Sequence, residues 1–308
     1  MTWFLRLALA ITMTLPALWH ATAAPPPRVV VSIKPIHSLA AALLDGIAQP
    51  NLLVDGAQSP HSFALRPSQA RALRDADVVI WVGPELEGFL AKSVTVLPDR
   101  VRVVGLLHET PGLERLHRDE HDHDHDHDHK QAVTPGHEAF DPHIWLSPQN
   151  ARAIAAHLTE VLGSYTDSPR LGQNAAVLDR ALGDLDRELT QKLTPVRLRP
   201  FVVMHPAYNY LVRSYGLNQI GIFATNPEQG ASAGHLSDLR NAIAKAKAVC
   251  VFAEPQFGTK AIGALAAGAG LRSGLLDPLG ADIAAGPGAY SVILQTLANA
   301  MVGCLGSR

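Results

Sequence analysis

Residues 168–193 read SPRLGQNAAVLDRALGDLDRELTQKL, and within them Leu171, Ala175, Leu178, Leu182, Leu185 and Leu189 recur at alternating spacings of four and three. That period predicts one amphipathic helix of about 24 residues, roughly 36 Å long. Ser168-Pro169 marks its start, with serine as cap and proline in the first turn. Asp179, Arg180, Asp186 and Arg187 fall on the opposite face. A helix of this length, set between two segments of a different rhythm, acts as a stiff spine joining them.

The flanking rhythm is strand and helix in alternation. Upstream, short apolar runs at 29–33, 51–54, 78–82 and 101–104 read as buried strands. Helical spacing at 38–44, 68–76 (capped by Ser68) and 85–91 separates them. Ser147-Pro148 starts a further helix, with Ile154, Leu158, Val161, Leu162 and Tyr165 as its apolar stripe. Downstream, strands are expected at 201–204, 219–223, 249–253 and 275–276, and helices at 236–246, 259–267 and 291–301. This alternation argues for open parallel sheets with helices on both faces. The expected fold is α/β: two Rossmann-like lobes, 25–167 and 195–308, joined by a long rigid helix over 168–194. A chain of 308 residues, 47% of them hydrophobic, is ample for both cores. A net charge of −2 argues against a nucleic-acid partner.

Two segments stand outside this plan. Arg6, the apolar run Leu7–Leu18 and the small residues before Ala23 and Ala24 form a secretory signal peptide over 1–24, cleaved near one of those alanines. The apolar run is too short for a membrane span. No cysteine directly follows it, which excludes a lipid-anchored mature N-terminus, so a soluble, released product is expected in the periplasm; a monomer is expected as well. The second segment is HDHDHDHDH at 121–129, inside a polar stretch of about 115–138 that has too few apolar residues to form a core. Its histidines, His121, His123, His125, His127 and His129, read as metal binding on composition.

Cys250 and Cys304 are the two cysteines. In an exported chain such a pair reads as a disulfide, closing a loop of about 55 residues and stabilising by roughly 4 kcal/mol in the chain-entropy model. A two-thiolate zinc site is the alternative, but C-x-x-C spacing is absent.

In open α/β sheets ligands bind beyond the carboxyl ends of the strands. His61 in Ser59-Pro60-His61, His143 in Asp141-Pro142-His143, His205 before Pro206, and Asp277 before Pro278 occupy loops or strand ends, each beside a proline that limits backbone motion. Three imidazoles with a carboxylate or water suit zinc. Glu254 can hydrogen-bond a ligand from behind, or be an ordinary strand-end carboxylate. His37 could line the same cleft, whereas His157 and His235 read as structural or solvent-facing. Catalytic signatures are missing: His137-Glu138 lacks the second histidine of H-E-x-x-H, and neither G-x-S-x-G nor a Walker A sequence occurs. An enzyme is therefore not expected.

Several motifs carry a family resemblance: Val31-Ser32-Ile33-Lys34-Pro35, Ser59-Pro60-His61 with Leu65-Arg66-Pro67-Ser68, and Trp81-Val82-Gly83-Pro84-Glu85. They continue with His143-Ile144-Trp145-Leu146-Ser147-Pro148, His205-Pro206-Ala207-Tyr208, Phe252-Ala253-Glu254-Pro255-Gln256-Phe257 and Leu276-Asp277-Pro278-Leu279-Gly280. Over essentially the whole mature chain the sequence resembles the periplasmic zinc-binding proteins of bacterial high-affinity zinc ABC importers, the ZnuA type of metal-binding solute-binding protein. The resemblance implies zinc in a cleft between two lobes, held by His61, His143 and His205. Manganese-binding relatives carry glutamate at the third position, so His205 points to zinc. The fourth place varies among relatives: the aspartate matching Asp277, water, or a glutamate beside the first histidine, where this chain has Pro60. Zinc-type members also share the cysteine pair and a His-rich insert.

The expected function is capture of Zn2+ and delivery to an inner-membrane ABC permease. Two alternatives are a periplasmic zinc buffer or chaperone uncoupled from a transporter, and a zinc-dependent hydrolase. The tract is expected to be an auxiliary, weak collector beside the cleft.

Overall fold

The computed structural model describes residues 25–117, 140–226 and 228–306. The signal peptide at 1–24 and the tract histidines at 121–129 lie outside the described residues.

The chain folds in the order β1 (Val29–Ile33), α1 (Lys34–Leu43), β2 (Asn51–Val54), α2 (Pro67–Asp75), β3 (Val78–Trp81), α3 (Gly88–Val94), β4 (Arg102–Gly105) and α4 (Leu106–Glu109). A 3-10 turn at Ile144–Leu146 leads into α5 (Pro148–Gly163) and α6 (Arg170–Leu193). The second half runs β5 (Phe201–Val203), α7 (Asn209–Tyr215), β6 (Gln219–Ile222), α8 (Ala233–Ala246), β7 (Cys250–Ala253), α9 (Lys260–Ala269), β8 (Arg272–Leu275) and α10 (Ala289–Gly306).

Each half contains one four-stranded sheet, ordered β2-β1-β3-β4 and β6-β5-β7-β8, with every pairing parallel. The two orders are the same pattern used twice. In each the chain reverses direction across the sheet between its two central strands, β1 and β3 or β5 and β7. That reversal opens a crevice at their carboxyl ends. β1 and β3 are wholly buried, which is why they read as unbroken apolar runs.

The spine is α6. Leu171, Leu178, Leu182, Leu185, Leu189 and Leu193 form its buried stripe. It packs on α1 and α5 from the first half and on α10 from the second. One continuous hydrophobic core runs through both halves and the spine, with a smaller core between β5, β7 and α8–α9. A disulfide joins Cys250 at the start of β7 to Cys304 near the end of α10, with Cα atoms 6.2 Å apart. The thiolate alternative is thereby closed.

Several element boundaries differ from the sequence expectation. α1 starts at Lys34, with Pro35 in its first turn, rather than at Ser38. Gly83 accepts hydrogen bonds from the Leu86 and Glu87 amides, so the chain turns tightly after β3 and α3 starts only at Gly88. α2 starts at Pro67, and its entry is held by the Arg66 amide donating to Gln69 Oε1 at 2.9 Å, not by Ser68. β8 covers Arg272–Leu275 rather than 275–276. Ser147 does cap α5, accepting from the Asn150 amide.

Candidate metal centre

His205 follows β5 and Glu254 follows β7, so both sit at the crevice where the second sheet reverses direction. His61 comes from the long β2–α2 connection, fixed by Pro60 and by its amide donating to Ser59 Oγ at 3.2 Å. His143 immediately precedes the Ile144–Leu146 turn. Three separate segments, two before the spine and one after it, thus deliver three imidazoles to one place.

One ligand atom from each of His61, His143 and His205 lies within 4.8 Å of the others. Ring centroids are 5.6 Å apart for His61–His143, 6.0 Å for His61–His205 and 5.2 Å for His143–His205. Nitrogens bound to one tetrahedral zinc at 2.0–2.1 Å stand roughly 3.3 Å apart, so at most about 1.5 Å of closure separates these rings from a filled site. His143 and His205 are buried, whereas His61 is half-buried at the mouth. Trp145, Phe257 and Leu279 supply apolar walls to the pocket.

Two carboxylates stand behind the rings. His143 Nδ1 is 2.7 Å from Asp141 Oδ1, and His205 Nδ1 is 2.7 Å from Glu254 Oε1. A neutral imidazole that donates from Nδ1 carries its lone pair on Nε2, so both contacts select the tautomer that presents Nε2 as ligand. Asp141 is itself held: Oδ1 also accepts from the His143 amide, and Oδ2 accepts from Asn209 Nδ2 at 3.0 Å. Its carbonyl accepts from the Tyr210 hydroxyl at 2.9 Å. Burial lowers the pKa of His143, against the pull of Asp141, and so favours the neutral ring a metal requires. Three imidazoles backed by two carboxylates suit a doubly charged cation.

Among the other residues singled out from sequence, Asp277 is not part of the group of atoms within 4.8 Å. Its Oδ1 accepts from Gln256 Nε2 and the amides of Leu279 and Gly280, and its Oδ2 accepts from the Ala281 amide. His37 does not line the pocket: it lies on α1 with Nε2 3.0 Å from the Pro50 carbonyl. His235 Nε2 is 2.9 Å from the Ile222 carbonyl, a structural contact. Asp141, in contrast, received no role from the sequence. The only local signal was its place two residues before His143, the spacing that lets one carboxylate oxygen meet both the amide and the ring of the same histidine.

Comparison with known proteins places the whole chain. The family model described as "Zinc-uptake complex component A periplasmic" matches residues 29–304. The high-affinity zinc uptake system protein ZnuA of Yersinia pestis is 38% identical over 292 residues, covering 90% of this chain and 91% of the relative. The ZnuA of Brucella abortus (strain 2308) is 37% identical over 306 residues, with the same coverages. A crystal structure of a ZnuA deletion mutant with zinc bound superposes with a TM-score of 0.75 at 26% identity, covering 92% of this chain and 99% of that one. The chain belongs to the ZnuA family of periplasmic zinc-uptake components.

Proposed function

We propose that this chain captures Zn2+ in the periplasm and delivers it to the permease of an inner-membrane ABC importer. The observation that carries the reading is the convergence of three imidazoles from three segments on one pocket, two of them oriented by buried carboxylates. The ligands are His61, His143 and His205, with a fourth place for water or Asp277. Glu254 and Asp141 act from behind. Three nitrogen ligands suit zinc over the oxygen-preferring manganese. The protein works by binding rather than by catalysis, and as a monomer without nucleic acid.

Residues 1–24 serve as the export signal and are removed near Ala23 or Ala24. The lobes divide at 25–167 and 195–308 around the linking helix 168–194. His121, His123, His125, His127 and His129 act as weak auxiliary collectors, their aspartates adding attraction for cations.

Deletion of the gene tests import against buffering. Growth should fail in zinc-poor medium and recover with added zinc. Unimpaired growth and unimpaired zinc accumulation would contradict import.

A further inference from the structure

The loop that carries Asp277 is gripped from both sides. On one side the Asp277 carboxylate accepts from the amides of Leu279, Gly280 and Ala281. On the other side Lys34, at the first position of α1 in the opposite lobe, donates from Nζ to the carbonyls of Gly280 at 2.6 Å, Ala281 at 3.2 Å and Ile283 at 2.7 Å. The Gly280–Ala281 peptide is therefore held between an ammonium at its oxygen and a carboxylate at its nitrogen. Opposite charges at the two ends polarise that peptide, and each bond strengthens the other.

The Lys34 side chain is only 3% exposed, and its counter-ion is Asp55 at 2.9 Å. A buried ammonium is tolerated only when its hydrogens are satisfied, and four acceptors here surround three N–H groups. The loop is shaped for this grip. Gly280 has φ +68°, and a Cβ there would stand 2.5 Å from Ile293 Cγ1. Trp145, two residues after His143, ties the same loop to the first lobe by donating from Nε1 to the Pro278 carbonyl at 2.9 Å. Pro278 and Leu279 form part of the pocket wall, so the gripped loop borders the metal site directly.

We infer that Lys34 is a positioning residue that holds Asp277 away from the three histidines, leaves the fourth position to water, and so keeps zinc release fast. The inference rests on the zinc-binding reading above. Without the ammonium the carbonyls of Gly280, Ala281 and Ile283 lose their donor and the loop loosens. Asp277 then becomes free to turn to the metal.

The test uses the full mature chain, with zinc release measured by chelator competition. Lys34→Met should slow release about tenfold, the low end of what groups around a metal's ligands contribute. Adding Asp277→Asn should return the rate to that of the wild type. An unchanged or faster rate in Lys34→Met, or slowing that persists with Asp277→Asn, would overturn the inference. Amide exchange in the wild type provides a second readout that needs no variant. The Gly280 and Ala281 amides should stay protected both without metal and with zinc, and loss of protection on loading would overturn the inference. Wild-type titration comes first: no tight zinc binding overturns the functional reading and this inference together, whereas tight binding with an unchanged Lys34→Met rate overturns this inference alone.

Discussion

His143 and His205 turn Nε2 to the pocket because Asp141 and Glu254 stand behind their Nδ1 atoms. Replacing Asp141 or Glu254 by Asn or Gln puts an amide where the Nδ1 proton goes, and each change should weaken zinc binding about 10- to 100-fold in competition titrations. A purely structural role for these carboxylates would leave affinity within error. That these three histidines come together was legible in sequence because each sits beside a proline at a strand end or loop, among so many other imidazoles. Asp141 was not, because a carboxylate near a histidine is common and only the folded turn aims it at the ring. Glu87 was equally hidden. It is fully buried, accepts from the Ser32 hydroxyl and the Val82 and Gly83 amides, and burial pushes its carboxyl up to about 7. Its folded value is raised above the unfolded one, so its contribution is full below about pH 4 and fades as pH rises through about 7. Denaturation of metal-free wild type and Glu87→Gln at pH 5 and pH 8 checks the sign. Wild type should lose about 2 kcal/mol relative to the variant across that interval, and parallel behaviour would contradict it.

At the scale of elements, α6 was the easiest to read because its period persists through 24 residues. α4 and α7, with four and seven residues, are too short to establish a period, and both went unforeseen. The start of α3 was misplaced because the Gly83 turn is set by hydrogen bonds that helical spacing does not encode. α10 is apolar over most of its surface because α1, α6 and β8 cover it. Truncating the spine at fully packed Leu182 to Ala should cost about 3 kcal/mol in unfolding free energy, and a cost under about 1 kcal/mol would mean that the helix is not held by its stripe. The disulfide anchors the far end of α10 to β7 across a separation of 54 residues. Replacing both cysteines by alanine should lower stability by about 4 kcal/mol in the chain-entropy model, with zinc affinity retained.

The two lobes share one core with the spine and are bridged by polar contacts besides those of Lys34. Ser38 Oγ accepts from the Tyr290 amide at 2.8 Å, and the Tyr290 hydroxyl donates to the Trp145 carbonyl at 2.8 Å. The alternation of strands and helices foretold two α/β units. It did not foretell that both sheets would use one strand order, because order across a sheet depends on which strands pair and not on their sequence period. A shared, close-packed core resists wide opening, so scattering profiles of the metal-free and zinc-loaded protein should nearly coincide; closure of the large hinge kind would contradict this. The central claim is that tight binding belongs to the cleft and not to the histidine tract. Calorimetric zinc titration of the chain lacking residues 115–138 tests it most directly. We predict one tight site of unchanged affinity, with only weaker additional binding lost, and disappearance of the tight site would contradict the claim.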